Sequence, residues 1–283
     1  MTRNTQTEPQ PDTLEGVEWD LTDRTTYGGY LRLPELLSLQ QPRSGENDEL
    51  LFIVIHQASE LWMKLQLHEL EGALDVIRTD SLEPALKRLA RVGRIQSQLI
   101  QSWEILATMT PSDYSAFREV LGPSSGFQSH QYRALEFLLG GKNGALIEVH
   151  RSEPETYSQM QERLRRPSLY DEALRLLARR GFDIPAAKLE RDWSQPYAAD
   201  PAVERAWLAV YRDPRAHWDL YDLAEKLVDL EYRLQQWRFA HMKTVERVIG
   251  YKRGTGGSSG VAYLSKVLEL RFFPELLDLR TGM

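Results

Sequence analysis

The chain has 283 residues and carries 35 Lys and Arg against 41 Asp and Glu, a net charge of −6, so nucleic acid is not an expected partner. It contains no cysteine, which excludes disulfides, iron–sulfur clusters, thiolate zinc sites, thiol nucleophiles and thioether-linked haem, and leaves six histidines and the carboxylates for any metal. A hydrophobic share of 42%, with 7 Trp, 12 Tyr and 8 Phe, supports a well-filled core.

The first 20 residues are polar, with three glutamates and two prolines. They read as a disordered lead-in without the apolar stretch of a signal peptide. The longest strongly apolar run, Leu50 to Ile55, is far short of the ~20 residues a membrane helix needs, so the expectation is a soluble cytoplasmic protein without a membrane partner. From Leu21 onward, long apolar-periodic stretches alternate with turn-rich spacers, and no run of alternating β-branched residues occurs. The fold class predicted is all-α, a bundle of long helices forming one domain over 21–283.

The first long helix is expected from an N-cap at Asn47 or Asp48 to about Ile77. Its first two turns are apolar on every side, the pattern of a buried helix. That places His56 in the interior, on one face with Phe52, Ile53, Glu60 and Met63. A second helix is expected from Leu82 or Glu83 to Thr108. Thr110-Pro111 then reads as a cap followed by proline at the first helical position. The short helix that follows, Ser112 to Leu121, sets Tyr114 and Arg118 one turn apart. Gly122-Pro-Ser-Ser-Gly126 breaks it, and a further helix is expected from about Phe127 to Gly140-Gly141. Residues 151–200, interrupted by four prolines, read as a smaller helical excursion whose charges form a solvated face.

The most regular element follows Pro214. Leu220, Leu223, Leu227, Leu230, Leu234, Trp237, His241, Val245 and Val248 recur at three- and four-residue steps, a core stripe that Gly250 ends. His241 is its odd member: a core histidine satisfied by a neighbour, or an axial haem ligand on a rigid helix. His56 and Glu60, at i and i+4, are either a hydrogen-bonded pair or half of a non-haem iron site. Leu67-His68-Glu69 begins like the zinc-protease motif, but Gly72 stands where the second histidine is needed. Five of the eleven residues from Gly250 to Gly260 are glycine. That loop is either a flexible linker or a lid that closes on a ligand with Thr255 and backbone amides as contacts. Arg118, if it faces a pocket, has the planar fork that suits a carboxylate. Beside the two enzyme readings, a non-enzymatic helical interaction module would explain the stripe but not two inward histidines and a glycine loop.

Six segments occur in one order: Tyr27-Gly-Gly-Tyr-Leu, Phe52 through His56-Gln-x-x-Glu60-Leu-Trp62, Pro111-Ser-x-Tyr114-x-x-Phe-Arg118, Gly122-Pro-Ser-Ser-Gly-Phe-Gln-Ser129, Trp237-x-x-x-His241 and Lys252-Arg-Gly-Thr-Gly-Gly-Ser-Ser-Gly260. Over about residues 21–280 the chain resembles the tryptophan 2,3-dioxygenase family. The resemblance implies a non-covalent haem b and insertion of both atoms of O2 into the indole 2,3 bond of L-tryptophan, giving N-formyl-L-kynurenine. It implies His241 as iron ligand, with Trp103 and Gly254 beside the haem. It places His56 near the indole N–H as the catalytic residue, Arg118 on the substrate carboxylate and Thr255 on the amino-acid head group. Phe52, Tyr114, Leu121 and Ser125 would line the pocket. Tyr27, Tyr30 and Leu31 would reach the pocket of a neighbouring subunit in a homotetramer.

Overall fold

The structure, a computed structural model, describes residues 16–283, so most of the expected N-terminal lead-in lies outside the described residues. The chain forms two compact units that meet between Gln41 and Pro42. The described part of the first unit carries α1 (Tyr27–Leu31) and α2 (Leu33–Leu36). Thr26 caps α1 by accepting from the Gly29 amide at 3.0 Å, and Arg32 ends it in the left-handed region at φ 52°. Neither helix buries a residue fully within its own unit.

The second unit is all-α, with no strand among the described residues. Its helices are α3 (Asn47–Arg78), α4 (Leu82–Leu106), α5 (Pro111–Phe117), α6 (His130–Leu139), α7 (Pro154–Arg165), α8 (Leu169–Arg179), α9 (Ala186–Leu189), α10 (Pro201–Arg212), α11 (Trp218–Val248), α12 (Val261–Val267) and α13 (Pro274–Asp278). α3, α4 and α11 form the frame, α4 packing against both others. The three-residue link between α3 and α4 forces them antiparallel. No helix among the described residues is long and apolar enough to cross a membrane.

Local chemistry explains the boundaries. α3 begins at Asn47 but without the side-chain cap expected of Asn47 or Asp48. Instead the buried Glu49 carboxylate turns back to accept from the amides of Arg43 and Ser44 at 2.8 and 2.7 Å. Thr110 caps α5 in a capping box with Asp113, and Pro111 opens the helix as expected. The short helix then tightens to a 3-10 turn over Arg118–Leu121. α6 begins three residues later than predicted, because Ser125 first caps a 3-10 turn over Gly126–Gln128 and Ser129 then caps α6. The α11 stripe is buried as predicted from Leu220 to Leu234, and Gly250 ends the helix region at φ +70° with its amide donating to Val245 and Glu246.

Two expectations change. The opening of α3 is not buried all round: Leu50, Val54, Leu61 and Leu65 are exposed, an apolar stripe on the side away from the core. And within 151–200 most charges of α7 lie exposed as expected, but α8 is not a solvated element. α8 packs against α3 and shares the main apolar core through Leu169, Tyr170, Leu174 and Leu177. Its acidic residues are buried and paired: Asp171 with Arg191 at 2.7 Å, and Glu172 with Arg78 and Arg175. Sequence patterning missed this because each acid's partner lies elsewhere in the chain or on the next turn. Since Leu174 is fully buried in the shared core, Leu174→Ala is expected to destabilise the whole second unit by about 2–5 kcal/mol. Urea unfolding followed by helical circular dichroism checks this; a separate early transition confined to part of the signal would mean that α8 is a detachable appendage.

Candidate active site

A cavity of ≈ 250 Å³ opens in the second unit. α3 contributes Phe52, His56, Glu60 and Met63; α4 contributes Trp103; α11 contributes Trp237 and His241. Tyr114, Ser125, Gly254 and Thr255 complete the wall from α5, the turn after it and the glycine loop. The helical register drives the convergence, since Phe52, His56, Glu60 and Met63 fall on one side of α3 at three- and four-residue steps. Ile53, expected on that face, is not part of the wall.

His56 is held rather than free. Its Nδ1–H donates to the Phe52 carbonyl at 2.7 Å, one turn earlier, and its ring lies 4.1 Å from the Phe52 ring. That bond fixes the tautomer and leaves Nε2 with its lone pair as an acceptor. Burial lowers the proton affinity of the ring, against the hydrogen bond to Phe52 and the nearby Glu60 carboxylate, which raise it.

His241 stands on the other wall. Its ring stacks on Trp103 at 4.5 Å with the planes 9° apart, and Trp237 flanks it at 5.5 Å. Burial pushes its pKa down to about 4, with the His56 ring adding to the effect, so the imidazole is neutral at ordinary pH. It is a neutral imidazole on a long helix, clamped between two indoles. The Trp103 Nε1–H, buried, has no hydrogen-bond partner.

The glycine loop covers the cavity through specific contacts. Thr255 Oγ1 donates to the Ser124 carbonyl at 2.5 Å, and Gly254 accepts from Gly257 while its own amide donates to Ser258. Gly256 sits so close to Ser125 that a Cβ there would lie 2.7 Å from the Ser125 Cβ, and Gly260, at φ +60°, would bring one to 2.7 Å from the Lys252 carbonyl. These two positions require glycine. Arg118 is not in the cavity wall. Its Nη2 donates to the Arg253 carbonyl at 2.7 Å, so it ties the 3-10 turn to the loop, and its charge acts on the Tyr114 hydroxyl. Leu121 likewise lies outside the wall, in the small apolar cluster of Tyr114, Phe117 and Leu106 beneath it. Tyr27, Tyr30 and Leu31 belong to the first unit, where their side chains are exposed.

Several wall residues carry no signal in the sequence pattern. Arg133 and Glu136 on α6 and Arg238 on α11 form a buried ion cluster beside the cavity, with Arg238 also donating to the Tyr132 hydroxyl at 3.2 Å. Spacing exposes only the Arg133–Glu136 step; the link to Arg238 crosses 102 residues of sequence. Among the described residues, no three His, Asp or Glu side chains gather as a metal site, so the non-haem alternative built on His56 and Glu60 lacks its third ligand.

A sequence model of the tryptophan 2,3-dioxygenase family matches residues 15–168 and 208–283. The chain belongs to the tryptophan 2,3-dioxygenase family. The Ralstonia nicotianae tryptophan 2,3-dioxygenase 1 is 56% identical over 274 residues, covering 97% of this chain and 93% of that protein. Tryptophan 2,3-dioxygenases of Burkholderia orbicola and Erythrobacter litoralis are each 58% identical, covering 94% and 91% of this chain and 86% and 98% of theirs. The tryptophan 2,3-dioxygenase family model skips 169–207, the stretch with α8 and α9, whereas every cavity residue named above lies within its matched segments.

Proposed function

We propose that this chain inserts both atoms of dioxygen into the indole 2,3 bond of L-tryptophan to give N-formyl-L-kynurenine, using one haem b per subunit held non-covalently in the cavity. The observation that carries the reading is His241: a neutral imidazole with no hydrogen-bond partner among the described residues, clamped by two indoles, facing an apolar cavity opposite a second histidine. The donor set fits a porphyrin. The walls are largely aromatic and aliphatic, the one nitrogen ligand is neutral, and the orphaned Trp103 N–H stands ready for a polar group on the cofactor. His241 would hold the iron, with Trp103 and Gly254 against the ring. Haem supplies the redox-active iron that lets triplet dioxygen react with a singlet organic substrate.

The remaining chemistry belongs to the protein and is positional. His56, with Nδ1 committed to Phe52, can accept the indole N–H at Nε2. Arg118 would turn a free N–H edge of its guanidinium to the substrate carboxylate while Nη2 holds the loop. Thr255, on that loop, would meet the amino-acid head group, so that binding the head group and closing the cavity become one event. Phe52, Tyr114 and Ser125 would shape the indole side, with Leu121 in the apolar cluster behind them. We take 42–283 as the catalytic body. The protein would act as a cytoplasmic homotetramer. The exposed Tyr27, Tyr30 and Leu31, and the apolar outer stripe of α3, suit burial against other copies.

The deciding experiment is an absorption spectrum of the purified protein supplied with hemin, then reduced and titrated with L-tryptophan in air. The expected result is a strong band near ~400 nm that responds to tryptophan, followed by appearance of the formylated product. A protein that stays colourless sinks the reading. His56→Ser is expected to keep full haem content and lose roughly 10²-fold or less of the rate, the size of a positioning or acid–base contribution. An unchanged turnover of L-tryptophan would remove His56 from the site.

A further inference from the structure

Glu60 is the one carboxylate in the cavity wall that no cation neutralises. It is half-buried on α3, one turn beyond His56, and among the described residues it forms no ion pair. It is nonetheless held in place. Gln131 Nε2, on α6, donates to the Glu60 carbonyl at 2.9 Å and to its Oε2 at 2.8 Å. An anion placed beside an apolar cavity and fixed by a neutral amide is costly unless its charge is used.

The other charged or titratable groups facing His56 are already committed. Arg133 and Arg238 both pair with Glu136. Arg118 is bound to the Arg253 carbonyl. The hydroxyls of Tyr114 and Tyr132 are kept neutral by burial, Tyr263 faces the cavity from α12, and the His241 imidazole is neutral. That leaves Glu60 as the charge nearest to His56, and residues four apart on a helix have Cβ atoms about 6 Å apart.

We propose that Glu60 is a positioning residue for the dioxygenase reaction: its carboxylate, anchored by Gln131, serves as counter-charge to His56 and sets how readily Nε2 takes up positive charge as it receives the indole N–H. The inference rests on the proposed function. It assigns to Glu60 the tuning of a group that substrate touches, without contact of its own. The direction follows from Coulomb attraction: the carboxylate raises the proton affinity of the imidazole, partly offsetting burial.

The test is the pH profile of kcat/KM for L-tryptophan in the haem-loaded enzyme, together with the equilibrium affinity for L-tryptophan read from the absorption shift. His56 must be neutral to accept, so both fall as pH drops through its pKa. Glu60→Gln keeps the size and the contact with Gln131 but removes the charge. It is expected to move this acid limb down by about half to one pH unit, the Coulomb effect of one charge at that separation under partial screening. Glu60→Asp should leave the limb near its wild-type position. In a His56→Asn background, Glu60→Gln should shift nothing. A limb that ignores Glu60→Gln overturns the proposal, as does a shift that persists without His56. Should Glu60→Gln fail to fold, Gln131→Leu takes its place: it frees the carboxylate from its anchor and should move the limb the same way by a smaller amount, and an unmoved limb counts against the idea. A wild-type enzyme without haem or turnover would instead defeat the proposed function itself.

Discussion

Replacing His241 by alanine is expected to yield a folded protein that takes up no haem. The side chain makes no hydrogen bond and borders the cavity, so its removal costs little beyond the stacking on Trp103, and helical circular dichroism should match the wild type. Haem, by contrast, would lose the neutral imidazole proposed to hold its iron. The other cavity imidazole, His56, already donates Nδ1–H to Phe52 and lies on the opposite side, so it cannot replace the lost ligand without turning the cofactor over. The measurement is the absorbance ratio of the band near ~400 nm to the protein band after hemin loading and gel filtration. Free imidazole added to His241→Ala should restore part of the band by filling the vacated space. A variant that loads fully without imidazole would place the axial ligand elsewhere.

Arg118→Ala is expected to weaken L-tryptophan binding by roughly 10- to 150-fold, the equivalent of losing a charge-assisted contact of about 1.5–3 kcal/mol. The structure adds a second consequence. Arg118 Nη2 also pins the Arg253 carbonyl, so the variant loosens the loop that carries Thr255. Loss of one such hydrogen bond is worth about 0.5–1.5 kcal/mol, up to roughly tenfold, and applies to every ligand that needs the loop closed. The two effects separate by ligand: L-tryptophan should suffer both, whereas an indole analogue without a carboxylate should suffer only the second. Equal losses for the two ligands would reduce Arg118 to a loop anchor. Arg118→Lys keeps the charge but not the fork, and should recover less than the full affinity if the contact is two-pronged.

The frame of the fold was readable because its signals are local. Thr110-Pro111, the heptad-like stripe from Leu220 to Leu234 and the terminating Gly250 each act within a turn or two of helix, and the structure places all three as expected, while the rest of the stripe lines the cavity. The candidate site was readable mainly through the family resemblance, and two of its members also through pattern. His56 and His241 are polar exceptions on otherwise apolar faces, and exceptions of that kind are visible without knowing what they meet. Patterning failed where the partner is remote. Asp171 and Glu172 looked like solvated surface because Arg191 and Arg78 lie 20 and 94 residues away. The outer face of α3 looked like core because an apolar side chain reads the same whether the chain's own fold or another copy would cover it.

Arg118 and Glu60 mark the boundary most clearly. Residue type and spacing alone marked Arg118 as able to bind a carboxylate and Glu60 as one turn from His56, and left any metal to the six histidines and the carboxylates, since cysteine is absent. Only the packed structure decided that Arg118 is tied to the glycine loop, that Glu60 is anchored by Gln131 and left without a cation, and that Trp103 and Trp237 clamp His241. The physical reason is range. Helix propensity, capping and periodicity are carried by neighbours along the chain, whereas desolvation and charge compensation depend on whatever the fold brings within a few ångströms, however distant in sequence.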